Sequence, residues 1–200
     1  MNLTITLDTT ASQRQLLAAH EALRRDLGPV LEVAVMECVQ SHLDAHYVGK
    51  PNKLGGASTG YWTTVRNSAA GEHKSNGDGS HEITVSLTGI GLRMKLEGGV
   101  IRPTGRTSSV TGKQIKFLTI PVNPVAHGKT VSDFGDGVER VGGGLFKKLP
   151  GRAFGEQLFL LAKQATIKAD PNIWPRTETL AAKCGEAAVM LFRSVSESGK

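Results

Sequence analysis

The sequence contains only two cysteines, Cys38 and Cys184, among its 200 residues. Two cysteines cannot supply the framework of several disulfides that holds small secreted domains together, so the fold must be stabilised by packing. Cys38 lies in an apolar stretch with helical periodicity, an environment that suits a reduced thiol. We therefore expect a protein of a reducing compartment.

Long apolar runs are also missing. The first residues, MNLTITLDTT, lack the basic start and apolar stretch of a secretion signal. No window approaches the roughly 18 consecutive apolar residues that span a bilayer. These absences predict a soluble chain that is not secreted and has no membrane partner.

Acidic residues are the minority charge. The chain carries 24 Lys and Arg against 18 Asp and Glu, which gives a formal net charge of +6. An excess of this size fits an acidic partner such as nucleic acid, and it fits a solubilising surface equally well. Because 39% of the residues are apolar, the chain can build one sizeable core, and we predict a single domain over residues 1–200.

Two helices are predicted in the N-terminal quarter. The first covers residues 11–27 and should end at Gly28, and Pro29 suits the first turn of the second, which runs to about Tyr47. An apolar row at i, i+4 spacing follows the second helix: Leu31, Val35, Val39, Leu43 and Tyr47, with Ala34 and Cys38 beside it. We therefore divide the domain into an N-terminal helical extension, 1–28, and a core, 29–193.

Strands are predicted after the polar stretch GEHKSNGDGS. Apolar and polar residues alternate in three segments, whose apolar members are Ile83, Val85 and Leu87, then Leu92, Met94 and Leu96, then Leu118, Ile120 and Val122. Two further apolar runs flank the dipeptide Pro150–Gly151, which suits a type II turn and predicts a long hairpin.

A C-terminal helix is predicted from Thr177, with Leu180, Cys184, Ala188 and Leu191 on one face. Helices followed by strands and a final helix are typical of an α+β fold. We expect a mainly antiparallel β-sheet packed against the long N-terminal helix and the C-terminal helix.

A polar loop interrupts the predicted strands in EGGVIRPTGRTSSVTGKQIKFLTIPV, residues 97–122. A glycine pair should let the backbone bend out of a strand, and a proline should stiffen the exit into the long loop 102–116. The loop is basic, so it could contact phosphate groups or a neighbouring subunit, although exposed loops are polar in any case. The candidate interaction residues are Gly98, Gly99, Arg102, Pro103, Arg106, Lys113 and Lys116.

Catalytic and metal-binding motifs are weak. The sequence GKT at 128–130 resembles the end of a phosphate loop, but Asn123 stands where the first glycine of that motif is required. Cys38, His42 and His46 share one helical face, yet about 12 Å of helix separates the first from the last. No serine or cysteine lies in a sequence context that suggests activation by a neighbouring base. We predict a protein that is not an enzyme and needs neither cofactor nor metal.

Several stretches resemble proteins of the tailed-phage and prophage virion morphogenesis family. EGGVIRP followed by KFLTIPV is similar to the region where a Gly-Gly, apolar, basic, Pro run precedes an L-T-I-P strand. The stretches LRRDLGPVLEVAVMECVQSHL, PNKLGGASTGYW, NPVAHGKTVSDF and TIKADPNIWP also occur in the order found in that family. The resemblance covers roughly residues 20 to 180. The chain departs from the family by inserting TGRTSSVTGKQI before the strand.

The resemblance is to Mu-type tail completion and neck proteins, and it implies a function. It implies a small α+β subunit of a homo-oligomeric ring, a hexamer or dodecamer, that joins head to tail beside other neck, connector or tail proteins. It also implies a place in the virion after assembly in the bacterial host cytoplasm, where the basic loop would meet a neighbour or packaged DNA. The alternative is a basic DNA-binding protein of phage or prophage origin. A metal-dependent hydrolase is the third class.

Overall fold

The structure, a computed structural model, describes residues 10–51, 58–107, 112–151 and 154–198. It opens with one continuous helix, α1 (Thr10–His46), with Pro29 inside it. The predicted helix end at Gly28 is therefore wrong. Proline fits a helical φ but removes one backbone hydrogen bond, so the packing around this turn must offset its cost.

The apolar row predicted on α1 is confirmed. Cys38, Val39 and Leu43 are buried, with 7%, 1% and 0% of their surface exposed, and the other members of the row are partly buried. Val33, which lies outside the row on the same helix, is 54% exposed. A single face of α1 therefore packs inward, as its i, i+4 spacing requires.

The polar stretch before the predicted strands is itself a strand. β1 (Ala70–Ser75) pairs antiparallel with β2 (His81–Ser86), and the two form a separate two-stranded sheet. The prediction of a connecting segment was wrong here because β1 is exposed at nearly every position, so no apolar alternation marks it. β2 confirms the strand predicted around Ile83 and Val85.

The β1–β2 hairpin packs on α1 at Gly28, which has no side chain. A Cβ atom at Gly28 would lie 2.7 Å from His73 Cδ2 and 2.9 Å from His81 Nδ1, so only glycine leaves room for the two rings. His73 Nδ1 also lies 2.8 Å from Glu32 Oε2 on the next turn of the helix. These contacts explain why the helix continues through the Gly-Pro pair: the hairpin holds both sides of it in place.

The helix α2 (Tyr61–Asn67) precedes this hairpin in the chain and begins with an aromatic pair, Tyr61 and Trp62. The segment around Leu92 and Leu96 was predicted to be a strand, but it forms a short helix, α3 (Leu92–Glu97). Gly91 precedes it with a φ of 74°, and Arg93 Nε lies 2.9 Å from Glu97 Oε2 one turn later. A period of two over six residues does not distinguish a strand from a short helix with an i, i+4 ion pair.

Two antiparallel sheets follow. β3 (Gly99–Ile101) pairs with β8 (Ala165–Ile167). A four-stranded sheet has the order β4-β7-β6-β5, built from β4 (Leu118–Pro121), β5 (Val138–Val141), β6 (Gly144–Lys147) and β7 (Gln157–Ala162). The strand predicted at Leu118 and the hairpin around Pro150–Gly151 are both confirmed. Residues 152–153 of that hairpin's connection lie outside the described residues.

The four-stranded sheet carries its own core. Ala126, Leu158 and Phe159 are buried there with 0%, 2% and 1% exposed. The Phe134 ring meets Phe159 edge to face, with centroids 5.7 Å apart. This core is covered by two 3₁₀ segments, Pro124–Ala126 and Val131–Gly137, rather than by a long helix.

The last element is α4 (Thr177–Ser198). Its predicted face is confirmed, since Leu180, Cys184, Ala188 and Leu191 are all partly buried. Arg176 is the cap of the helix, because its carbonyl accepts the amides of Thr179 and Leu180 at 3.0 and 3.1 Å. Thr177, predicted to be the cap, is instead the first helical residue.

The residues fall into two compact units. The first comprises the described residues up to His42, Arg66–Thr88 and those from Trp174 on; the second comprises Leu43–Val65 and Gly89–Ile173.

With its long terminal helices and antiparallel sheets the fold is α+β, as predicted. The single domain 1–200, with its extension 1–28, stays a prediction. Within the described ranges, no helix combines the length and apolar character needed to cross a bilayer.

Candidate assembly surface

The predicted interaction loop leaves α3 through the glycine pair. Gly98 has a φ of 74° and Gly99 a φ of 145°, so both adopt backbone conformations that other residues rarely take. A Cβ at Gly98 would also lie 2.9 Å from the Ala169 nitrogen and 3.0 Å from the Ile167 oxygen. The pair bends the chain as predicted, although it bends it out of a helix and not out of a strand.

Beyond β3 the loop is open to solvent. Pro103 is partly buried, and the four basic candidate residues, Arg102, Arg106, Lys113 and Lys116, are all exposed. The chain folds back on itself through a β-bridge between Thr107 and Gln114, and the Ile115 amide donates to the Arg106 carbonyl at 2.9 Å. Residues 108–111 of the predicted loop lie outside the described residues. The described parts therefore form a basic, hairpin-like projection between β3 and β4.

Strand edges lie on both sides of this projection. β4 is an outer strand of the four-stranded sheet, and Pro121 lies at its end. β3 belongs to a sheet of only two strands, with Val100 50% exposed and Ile101 37% exposed. Exposed edges with apolar side chains are surfaces on which a further strand can pair.

Two other basic residues of the region are engaged elsewhere. Arg93 pairs with Glu97 on α3. Lys95 directs its Nζ toward Tyr61 and Trp62, at 4.9 and 5.7 Å from the two ring centroids. Arg93 and Lys95 therefore each have a partner outside the projection.

An aromatic cluster surrounds Lys95, and sequence reasoning missed it. The Tyr47 and Trp62 rings lie 4.4 Å apart, and Tyr61 meets Trp62 edge to face at 5.1 Å. A cation over aromatic faces stabilises such a cluster by about 0.5 to 2 kcal/mol. Tyr61 and Trp62 are visible in the sequence as an aromatic pair, but nothing in the sequence indicates that Lys95 lies over them.

The cluster is tied to the segment after β8. The Tyr47 hydroxyl donates to Asp170 Oδ2 at 3.0 Å, and the Asp170 amide donates to the Lys95 carbonyl at 2.8 Å. Burial, and then the hydrogen bond to the Asp170 carboxylate, raises the pKa of Tyr47 to about 12. Tyr47 therefore stays protonated and acts as a fixed donor.

Stretches that carry the family resemblance meet in this unit. Thr59 and the aromatic pair belong to PNKLGGASTGYW, and a Cβ at Gly128 of NPVAHGKTVSDF would lie 3.1 Å from Thr59 Cγ2. Asp170 belongs to TIKADPNIWP and bonds Tyr47, as described above. Segments more than 100 residues apart in the chain thus build one framework, from which the basic projection extends.

A second exposed surface lies in the other unit, between α1 and α4. Leu16 and Leu17 of α1 are 73% and 63% exposed there, and Phe192 of α4 is 60% exposed. A groove of about 610 Å³ opens between the two helices, with Leu16, Leu17 and Leu23 on one side and Phe192 and Val195 on the other. Contiguous apolar exposure is typical of interaction surfaces.

The remaining sequence candidates have structural roles. In the GKT stretch, Thr130 caps a 3₁₀ segment and its amide donates to Asp133 Oδ2 at 2.6 Å, while Lys129 Nζ lies 5.5 Å from the Phe134 ring centroid. Cys38 is buried on the packed face of α1. Among the described residues, no group of three His, Cys, Asp or Glu could hold a metal ion.

Comparison of the chain with protein-family models, with curated proteins and with solved structures finds no match.

Proposed function

We propose that this chain is a structural virion protein of the phage neck, a tail completion subunit that assembles into a homo-oligomeric ring and joins head to tail. The proposal rests on the resemblance of its short stretches to that family. Its main structural support is that Gly128 of NPVAHGKTVSDF lies against Thr59 of PNKLGGASTGYW, and that Asp170 of TIKADPNIWP bonds Tyr47. The Tyr47 ring in turn contacts Trp62 of PNKLGGASTGYW. Residues that jointly define one framework give a physical reason for the stretches to occur together.

The projection supplies the contact between subunits in this proposal. Its basic residues are exposed, and it emerges between two outer strands, β3 and β4. Each loop residue that becomes ordered against a partner costs about 1 to 2 kcal/mol of backbone entropy. A strand edge or an acidic surface of the neighbouring subunit would offset that cost with backbone hydrogen bonds and ion pairs.

Deletion of Thr104–Gln114 tests the proposal. The variant should keep the fold, because the bridge that it removes is local to the projection. It should fail to form rings in sedimentation velocity and electron microscopy, and heads and tails should remain separate when it replaces the wild-type protein in an assembly extract. Hydrogen exchange should show the projection more strongly protected in the assembled particle than in the free subunit. A deletion variant that joins heads to tails with wild-type efficiency would overturn the proposal.

The exposed charge of the projection also favours the alternative, a DNA-binding protein. Arg102, Arg106, Lys113 and Lys116 would then neutralise phosphates, so affinity for duplex DNA should fall steeply with salt. Replacing Arg106 and Lys116 by Gln should flatten that salt dependence by roughly two phosphate contacts. A wild-type monomer that shifts duplex DNA in this salt-dependent way would favour the alternative over the ring.

A further inference from the structure

Helix α4 has a second face that the described residues leave exposed. Its packed face carries Leu180, Cys184 and Leu191. At about 100° per residue, a second row lies roughly 130° around the helix from that face. Every member of the row is exposed, and their spacing alternates between three and four residues: Ala182, Gly185, Val189, Phe192 and Ser196. This is the spacing with which one helix packs lengthwise on another.

We propose that two copies of this chain pair through this second face, with the two α4 helices antiparallel about a two-fold axis near Val189. The side chains of this face are small at one end, at Ala182 and Gly185, and large at the other end, at Phe192. A parallel pair would place Phe192 against Phe192 and Gly185 against Gly185, which overfills one layer and leaves another empty. The antiparallel pair places each Phe192 beside Gly185 of the second copy.

The charges beside the face favour the same orientation. Glu186 and Arg193 occupy equivalent positions along one edge, seven residues or about 10 Å apart. With the axis near Val189, Glu186 lies within about one residue of the height of Arg193 of the second copy, and the symmetry makes this pair twice. In a parallel pair the two edges would lie on opposite sides of the interface, so neither of these ion pairs could form.

The available area is sufficient for such a pair. If each fully exposed large side chain offers roughly 150 to 200 Å², the exposed parts of Leu16, Leu17, Val189 and Phe192 amount to about 400 Å² per copy. A standard interface buries roughly 800 Å² per partner, of which a polar rim supplies a large share. The groove between α1 and α4 continues the apolar surface beside Phe192.

Sedimentation of the full chain tests the pairing. The wild-type protein should sediment in even multiples of its 21.2 kDa mass, and the ring-deficient deletion of Thr104–Gln114 should remain a dimer. Val189→Asp should weaken dimerisation at least about 30-fold, as for a residue at the centre of an interface. Val33→Asp is the matched control, since Val33 is also helical and is 54% exposed against 51% for Val189. It should leave the dimer unchanged.

Charge reversal tests the orientation. Glu186→Arg and Arg193→Glu should each weaken the dimer about tenfold or more, and the double variant should regain most of the loss because its charges are again opposite. Glu186→Gln controls for the pair that Glu186 makes with Lys183 of its own helix at 2.7 Å. A double variant that dimerises no more tightly than the weaker single variant would overturn the antiparallel arrangement.

A wild-type monomer at about 100 μM, or equal effects of Val189→Asp and Val33→Asp on dimerisation, would overturn the pairing. Neither result bears on the ring, which is tested through the projection.

Discussion

Val39 provides the sharpest test of the packed face of α1, since only 1% of its surface is exposed. Burial of a valine side chain stabilises a fold by about 1.5 to 3 kcal/mol. Asp in its place would lose that contribution and would add several kcal/mol for a buried carboxylate without a partner. The total approaches the roughly 5 to 15 kcal/mol by which a typical domain is stable. We therefore expect Val39→Asp to be unfolded or insoluble.

The assay compares three variants with the wild type in urea unfolding followed by circular dichroism. Val39→Ala should lower the free energy of unfolding by about 2 to 3 kcal/mol, because it removes two buried methyl groups and leaves a cavity. Val39→Asp should give no cooperative transition. Val33→Asp, the same change on the exposed side of the same helix, should stay within about 0.5 kcal/mol of the wild type.

One result would refute this reasoning. If Val39→Asp unfolded cooperatively with a free energy within about 1 kcal/mol of the wild type, Val39 could not be in a close-packed environment. Equal losses in Val39→Asp and Val33→Asp would lead to the same conclusion, because the effect would then follow from the helix and not from burial.

Three further predictions concern other parts of the fold. Gly98→Ala should lower the free energy of unfolding by about 1 to 3 kcal/mol, because Gly98 has a φ of 74° and the Ala169 backbone lies close to it. Gly143→Ala, which has open space around it, should have little effect. Thermal unfolding of both variants measures the difference. Stability that depends on protonated Tyr47 should be complete below about pH 10 and lost as the pH rises through about 12, and Tyr47→Phe should remove that step from an absorbance titration. Burial raises the pKa of the Cys38 thiol, so a thiol reagent should modify Cys38 far more slowly in the native protein than in denaturant. The mass of the Cys38 peptide measures both rates, and equal rates would contradict the burial of Cys38.

The elements that could be predicted from sequence are those with one buried face. The apolar rows of α1 and α4 repeat at the helical period, and β2 and β4 alternate over their length, so the pattern reports the burial directly. The α+β class follows from the order of these elements. Burial of one side is also what made the apolar row through Val39 easy to recognise.

The errors arise where tertiary contacts decide the local structure. Nothing near Gly28 in the sequence indicates that His73 and His81 pack over it, so a local prediction ends the helix there. β1 has no buried face to create an alternation, and the hairpin that it forms is held by pairing with β2. α3 is too short for its period to be informative.

The candidate surfaces follow the same rule. The exposure of the projection was predictable because its residues are polar and basic, and the structure places all four basic candidate residues at the surface. The position of Lys95 over Tyr61 and Trp62 was not, because the partners are more than thirty residues apart. The second row of α4 was present in the sequence, but a row that packs inward and a row that stays exposed have the same spacing.

The division of the chain into units also sets an order in which it can fold during synthesis. The first unit is discontinuous: α1 and the β1–β2 hairpin are made early, but α4 follows only after the whole of the second unit. At about 5 to 20 residues per second, the ribosome takes roughly 4 to 17 seconds to pass from Thr88 to Trp174. During that interval the apolar row of α1 has no α4 to complete its unit, whereas the second unit can close as soon as Ile173 emerges. Nascent chains of this protein should therefore depend on a chaperone at α1 until the last helix has been made.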